Sequence, residues 1–150
     1  MRLSSMADYA VIIMSAAARH YGTCALVEQA GESPVRSRAR VSAAQLAEET
    51  GLPVPTVQKL VSKLAAAGLM RSSRGVGGGL KLARPPAAIS LADIVEAVEG
   101  PIALTACLDP VKSDCTLESG CNVKGHWPQV NAAVRGALAQ VVLTQLVEEV

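Results

Sequence analysis

The sequence predicts a mainly α-helical fold that carries one small β-hairpin and ends in a long helix. Three observations predict it. Apolar residues recur at three- and four-residue steps through several segments. Half of the residues are hydrophobic but only 2% are aromatic, with no Phe, so the core must be built from Ala, Val, Leu and Ile. Such small side chains suit closely packed helices better than a sheet sandwich. One stretch, 69–82, alternates in the manner of two short strands about a glycine-rich turn.

The elements follow in order. Leu3, Met6, Ala10, Ile13 and Ala17 predict a helix over 2–21, stopped by Gly22. Residues 22–40 lack helical periodicity and carry arginines at alternate positions, Arg36, Arg38 and Arg40. Ser42 and Gln45 form a capping box for a short helix to Thr50, which Gly51 ends. The run Leu52-Pro53-Val54-Pro55 bars continuation, because each Pro pushes its predecessor out of the helical region. Pro55 then opens a second helix to about Ala67, with Val57, Leu60, Val61 and Leu64 on one face. Thr56, Gln58, Lys59, Ser62 and Lys63 take the other face. The hairpin follows. Ser90 and Asp93 cap a helix bearing Leu91, Ile94, Val95 and Val98, ended by Gly100. Residues 101–125 show no period. From about His126 a long helix is expected, with Val130, Val134, Ala137, Leu138, Val141 and Leu146 as its apolar stripe. The implied units are 1–100, 101–125 and 126–150.

Two short helices about a tight turn, then a glycine-tipped hairpin, make a winged helix–turn–helix, whose second helix enters a major groove of double-stranded DNA. Thr56, Gln58 and Lys59 stand at the N-terminal end of that helix, where side chains reach base edges. Gln pairs bidentately with adenine, and Lys bonds guanine or phosphate. Ser62 and Lys63 are placed for phosphates. Arg71 and Arg74 flank the wing, and Arg74 suits a narrow minor groove. Gly75 and Gly77 let the backbone turn sharply and approach a phosphate. The charge distribution agrees. The net charge is +1, but residues 36–84 hold nine Lys/Arg against two Glu, while 85–150 hold three against eight Asp/Glu. A basic middle beside an acidic tail points to an anionic partner.

Cys107, Cys115 and Cys121 lie within one polar, irregular segment. Three cysteines so close suggest a metal site. The C-x-x-C pairs of structural zinc are missing, whereas iron–sulfur clusters tolerate longer spacings of thiolate ligands. A fourth ligand is then needed. His126 is the nearest in sequence, and Asp8 is the other candidate if the first helix of a second subunit reaches the loop. Cys24 stands apart and reads as a small semi-buried residue. A thiol-redox or zinc-bound regulator on the same fold is the alternative. An enzyme is not expected: paired carboxylates and a nucleophile–base pattern are missing, and Gly75–Gly79 lacks the Lys-Ser/Thr sequel of a phosphate loop. No apolar run reaches the roughly 18 residues of a membrane span, and Met1–Asp8 lacks the apolar stretch of a signal peptide. A cytoplasmic protein with no membrane partner is the expectation.

With these segments in hand, the sequence resembles the iron–sulfur-cluster-sensing winged-helix transcriptional regulators, the IscR-like and NsrR-like family, most of all the SUF iron–sulfur assembly regulator. The resemblance rests on Met1-Arg2-Leu3 with Ala7-Asp8-Tyr9-Ala10, Gly51-Leu52-Pro53 through Lys63-Leu64, and Arg74-Gly75 with Gly77-Gly78-Gly79. It continues in Ile89 to Ile94, Glu99 to Leu104, and Gly125-His126-Trp127. It implies a homodimer on a palindromic operator, with crossing C-terminal helices. It also implies a cluster, most often [2Fe–2S], on Cys107, Cys115 and Cys121, and control, as repressor or activator, of iron–sulfur assembly genes. The chain departs from IscR-like members in a longer first cysteine spacing and a more distant His126. In NsrR-like members an aspartate matching Asp8 supplies a ligand across the dimer, so the fourth ligand stays open between the two.

Overall fold

The computed structural model describes residues 2–28, 40–111 and 114–147, with the side chains of 22–28 and 118 excepted. Helix α1 (Ser5–Glu28) is the axis of the fold. Ala7, Ala10, Ile13, Met14, Ala16 and Ala17 are buried along it, and their small size lets other helices approach closely. It packs against α2 (Ala43–Thr50), α3 (Val54–Ala66), α4 (Leu91–Glu99) and α6 (Leu143–Val147). Two expectations for it are corrected. The helix does not stop at Gly22 but runs 24 residues in all. A glycine inside a helix costs only about 1 kcal/mol, which packing along the rest of the element outweighs. Leu3 precedes the helix and is exposed.

The capping box of α2 forms as expected. Ser42 Oγ accepts from the Gln45 amide at 3.1 Å, and the Ser42 amide donates to Gln45 Oε1 at 2.8 Å. Gly51 then takes φ 70°, a left-handed value that turns the chain toward α3. Helix α3 begins one residue earlier than predicted, at Val54, with Pro53 as its N-cap. Val57, Leu60, Val61 and Leu64 are its buried face.

Strands β1 (Met70–Ser73) and β2 (Gly79–Leu82) pair antiparallel in the register Met70↔Leu82, Arg71↔Lys81, Ser72↔Leu80 and Ser73↔Gly79. Met70, Leu80 and Leu82 face the core. Val41 joins the outer edge of β2, exchanging backbone bonds of 3.0 and 2.8 Å with Leu80. The cap of α4 also forms as expected, through Ser90 and Asp93.

The expected long C-terminal helix is present as α5 (Trp127–Gln140), but it stops short of the expected stripe: it ends where Val141 turns extended, and α6 starts after it. Val142 pairs with Ser90, the Leu91 amide donates to Val141 O at 2.8 Å, and the Leu143 amide donates to Ile89 O at 2.8 Å. β-Branched Val141-Val142 accepts this extended pairing readily. Leu143 is thereby driven fully into the core, and residues 143–147 pack on α1 and on the short turn Pro86–Ala88, as part of the winged-helix unit. Helix α5, by contrast, buries no side chain in the protomer. No helix among the described residues is long and apolar enough to cross a membrane.

Candidate nucleic-acid interface and cysteine-bearing loop

Helix α3 presents Gln58, Lys59, Ser62 and Lys63 as exposed residues on the side away from its buried stripe, while Thr56 is half-buried. Ser62 Oγ donates to Gln58 O at 2.9 Å within the helix. Lys63 reaches the other way: its Nζ donates to Val98 O at 2.7 Å, at the last turn of α4. A cation there favours the negative end of that helix. Gln58, Lys59 and Ser62 are thus left facing outward with Thr56 half-buried beside them, and Lys63 is committed, in the free protomer, to holding α3 against α4.

The wing adds Arg71, Arg74, Gly75 and Gly77, all exposed. Gly75 (φ 94°) and Gly77 (φ 75°) occupy left-handed backbone that a side chain would strain. Gly78 is fixed by space instead: a Cβ there would lie 2.4 Å from Ser73 O and 2.8 Å from Gly75 O. The tip residue Val76 is wholly exposed.

Sequence reasoning missed Lys81. The strand register sets it opposite Arg71, a like-charge pair that disfavours the hairpin unless an anion lies nearby. Counting outward from the Ser73–Gly79 closing pair would have found it. Among the described residues, none of Lys59, Arg71, Arg74 and Lys81 pairs with a carboxylate; the ion pairs described are His20–Glu49, Arg84–Asp93 and Arg135–Glu96. Arg36, Arg38 and the Cys24 side chain lie outside the described residues.

Over the full chain, residues 3–149 match the description of the Rrf2 family, iron-dependent transcriptional regulators. The chain belongs to the Rrf2 family. It is 30% identical over 146 residues to the HTH-type transcriptional regulator IscR of Vibrio cholerae, covering 97% of this chain and 75% of that one. Among solved structures it is similar to CymR, the global cysteine regulator of B. subtilis. That match has a TM-score of 0.68 at 26% identity and covers 98% of this chain and 96% of that one. It is also similar to IscR of T. potens, with a TM-score of 0.64 at 26% identity over 99% and 87% of the two chains. This Rrf2 chain is therefore a transcriptional regulator with a winged helix–turn–helix fold, and not an enzyme.

The cysteine-bearing segment of this Rrf2 chain is a string of 3₁₀ turns, Ala106–Leu108, Glu118–Gly120 and Lys124–His126. Its start is well anchored. Asn131 of α5 donates from Nδ2 to Ile102 O at 2.8 Å and accepts at Oδ1 from the Leu104 amide at 3.0 Å. Glu96 of α4 accepts two bonds from Arg135 of α5, at 2.8 and 2.9 Å. Arg135 holds the Glu96 carboxyl below its ordinary pKa, chiefly through that hydrogen bond, against the opposing effect of burial. Beyond Leu104, Thr105 Oγ1 lies 3.2 Å from Cys107 Sγ.

Cys107, Cys115 and Cys121 are all free and half-buried. Cys121 lines a depression of about 300 Å³ with Thr116, Leu117, Ser119 and Gly120. The donor types suit an iron–sulfur cluster, which needs thiolates. Their placement in one protomer does not gather them: among the described residues, no three His, Cys, Asp or Glu side chains lie close enough to hold one metal ion. His126 is exposed just before α5, and Asp8 is exposed on the first turn of α1. Holding a cluster therefore requires the segment beyond Leu104 to rearrange, or a second subunit to complete the set.

Proposed function

We propose that this Rrf2-family chain is a homodimeric, cytoplasmic DNA-binding regulator whose operator affinity answers to an iron–sulfur cluster, and that it governs iron–sulfur assembly genes. The cluster, [2Fe–2S] on this reading, is held by Cys107, Cys115 and Cys121, with His126 or Asp8 of the partner subunit as the fourth ligand. One observation carries the reading: the three free thiols share a segment whose root is hydrogen-bonded to α5 and flanked by the Glu96–Arg135 pair, while the last turn of α4 is gripped by Lys63 of α3. The state of the loop thus has a short route through α4 to the recognition helix. When bound, the cluster supplies a redox- and oxygen-sensitive cross-link between thiolates.

The chain's own residues do the rest. Helix α5 leaves Val130, Val134 and Leu138 uncovered or half-covered, which suits packing against a second copy. A two-fold dimer sets its two recognition helices on half-sites roughly 34 Å apart, so the operator is palindromic. Thr56, Gln58 and Lys59 read base edges; Ser62, Arg71, Gly75 and Gly77 meet phosphates; Arg74 enters the minor groove. Lys63 reaches phosphate only by leaving Val98. In this division residues 1–100 bind DNA, 101–125 hold the cluster, and the helix from 126 dimerises.

A thiol-redox or zinc-dependent mode on the same fold is the second reading. The scattered free thiols favour it, and so does the likeness to a global cysteine regulator. Metal and sulfide analysis, with a visible spectrum, of protein purified without oxygen separates the two. Equal iron and sulfide, abolished by Cys107→Ala, supports the cluster. Zinc, or colourless protein even after cluster reconstitution, rejects it in favour of the second reading.

A further inference from the structure

The wing of this protein has little of its own to hold it in shape. Its turn contains Gly75, Gly77 and Gly78, and the only backbone bond described across it is Gly78 N–H to Gly75 O, at 2.8 Å. Glycines of this kind leave an isolated turn with many conformations. Yet a wing that meets DNA in many shapes loses affinity, because ordering it on binding opposes the contacts made.

The missing constraint comes from outside the hairpin. Arg40 immediately precedes Val41, whose backbone bonds with Leu80 lay the chain along the outer edge of β2. From there its Nη1 donates to Ser73 Oγ at 3.0 Å and to Gly77 O. One guanidinium nitrogen therefore joins the last residue of β1 to the middle of the turn. The backbone is shaped to admit it. A Cβ at Gly79 would stand 3.0 Å from Arg40 Cβ and 3.3 Å from Val41 O, and Gly79 has φ 150°. Nη2 and Nε have no acceptor among the described residues. Among the described residues no carboxylate meets the charge, and it lies on a hairpin that already pairs Arg71 with Lys81. A cationic strut with donors to spare is suited to a surface that meets an anion.

We propose that Arg40 is a positioning residue for DNA binding: through Ser73 and Gly77 it holds the wing tip in the shape that meets the duplex backbone. The proposal rests on the reading that this wing binds DNA. Its test uses the full chain with Arg40→Ala, Arg40→Lys, Ser73→Ala and the Arg40→Ala/Ser73→Ala double variant. Two measurements are made. Hydrogen exchange at Gly78 is followed without DNA. Binding to a short duplex, selected by the wild-type chain from a random library, is followed by anisotropy over a range of salt.

Arg40→Ala and Ser73→Ala should each speed Gly78 exchange and weaken duplex binding by about tenfold, the scale of one charge-assisted bond. Ser73→Ala changes no charge, so the salt dependence of binding should stay as in the wild type. The double variant should bind within about threefold of Arg40→Ala, because the Ser73 hydroxyl acts mainly through its bond with Arg40, its other bond, to Gly79 O, being long at 3.5 Å. Arg40→Lys keeps the charge but not the planar fork, and should recover the salt dependence without recovering Gly78 protection. Unchanged exchange in Arg40→Ala overturns the proposal. So do losses that multiply in the double variant, or full rescue of both readouts by lysine. A wild-type chain that selects and binds no duplex refutes the DNA-binding reading itself; the exchange measurement, which needs no DNA, tells the two failures apart.

Discussion

Asn131→Ala tests whether the cysteine-bearing segment is tethered as described. Asn131 stands on the second turn of α5 and is half-buried. It makes two bonds to the backbone of the segment: Nδ2 to Ile102 O at 2.8 Å, and Oδ1 from the Leu104 amide at 3.0 Å. A neutral hydrogen bond contributes about 1 kcal/mol net, so the pair contributes about 2 kcal/mol. Alanine is a better helix former than asparagine by about 0.5 kcal/mol, which offsets part of the loss. The remaining 1.5 kcal/mol or so raises the local opening equilibrium by about tenfold. The assay is native-state hydrogen exchange, read at the Leu104 amide and, as an internal control, at the amides of α3. Leu104 should exchange about tenfold faster while α3 is unchanged. Two results would refute the reasoning. Exchange at Leu104 that rises less than about twofold would mean that something other than Asn131 holds the segment. A parallel rise in α3 would mean that Asn131 supports the whole core rather than this tether.

Two further outcomes follow from the same geometry. Arg135 lowers the pKa of Glu96 in the folded protein, so the pair's stabilisation is present above the ordinary carboxylate value of 4.5 and is lost as pH falls through the lower, folded value. In urea unfolding the wild type should therefore exceed Glu96→Gln near neutral pH and lose that lead on acidification below 4.5; a lead that stays constant into strong acid contradicts the pairing. Leu143→Ala removes a fully buried side chain of the element packed on α1, and should cost about 3 kcal/mol in chemical denaturation at fixed protein concentration; a loss under about 1 kcal/mol would show that α6 is not part of the protomer's core.

The winged-helix half of the fold was legible because its signals are local. Ser42 with Gln45, Pro53 with Pro55, the glycine turn, and Ser90 with Asp93 each act within a few residues, and each produced the element it predicts. What sequence reading missed depends on residues far apart in the chain. Gly22 reads as a stop only until α1 is seen packed against four other helices. Val141 continues an apolar stripe on paper, but in space it bonds with Leu91, and Val142 beside it pairs with Ser90, which breaks the helix. Lys63 looks like a phosphate contact on a helical wheel; only the approach of α4 sets its ammonium at Val98 O. The cysteines could be assigned by kind, since thiolate chemistry needs no fold, but whether three sulfurs converge is a tertiary question that spacing does not answer.

The distribution of pairing among the charges decides between a stability role and a binding role for the basic face. Among the described residues, close pairs away from that face join Arg135 to Glu96, Arg84 to Asp93, and His20 to Glu49. On α3 and the wing, Lys59, Arg71, Arg74 and Lys81 meet no carboxylate among the described residues, and Arg71 faces Lys81 across the hairpin. Exposed like charges repel weakly in water, so this arrangement adds nothing to folding and slightly opposes it. It is favourable only when a polyanion takes the place of the missing carboxylates. Each cation then releases a condensed counterion from the duplex, and affinity must fall steeply with salt. The same face that is a small liability to the free chain is therefore the part of the described surface that gains most from meeting a polyanion, while Lys63 beside it is held at Val98 O of α4.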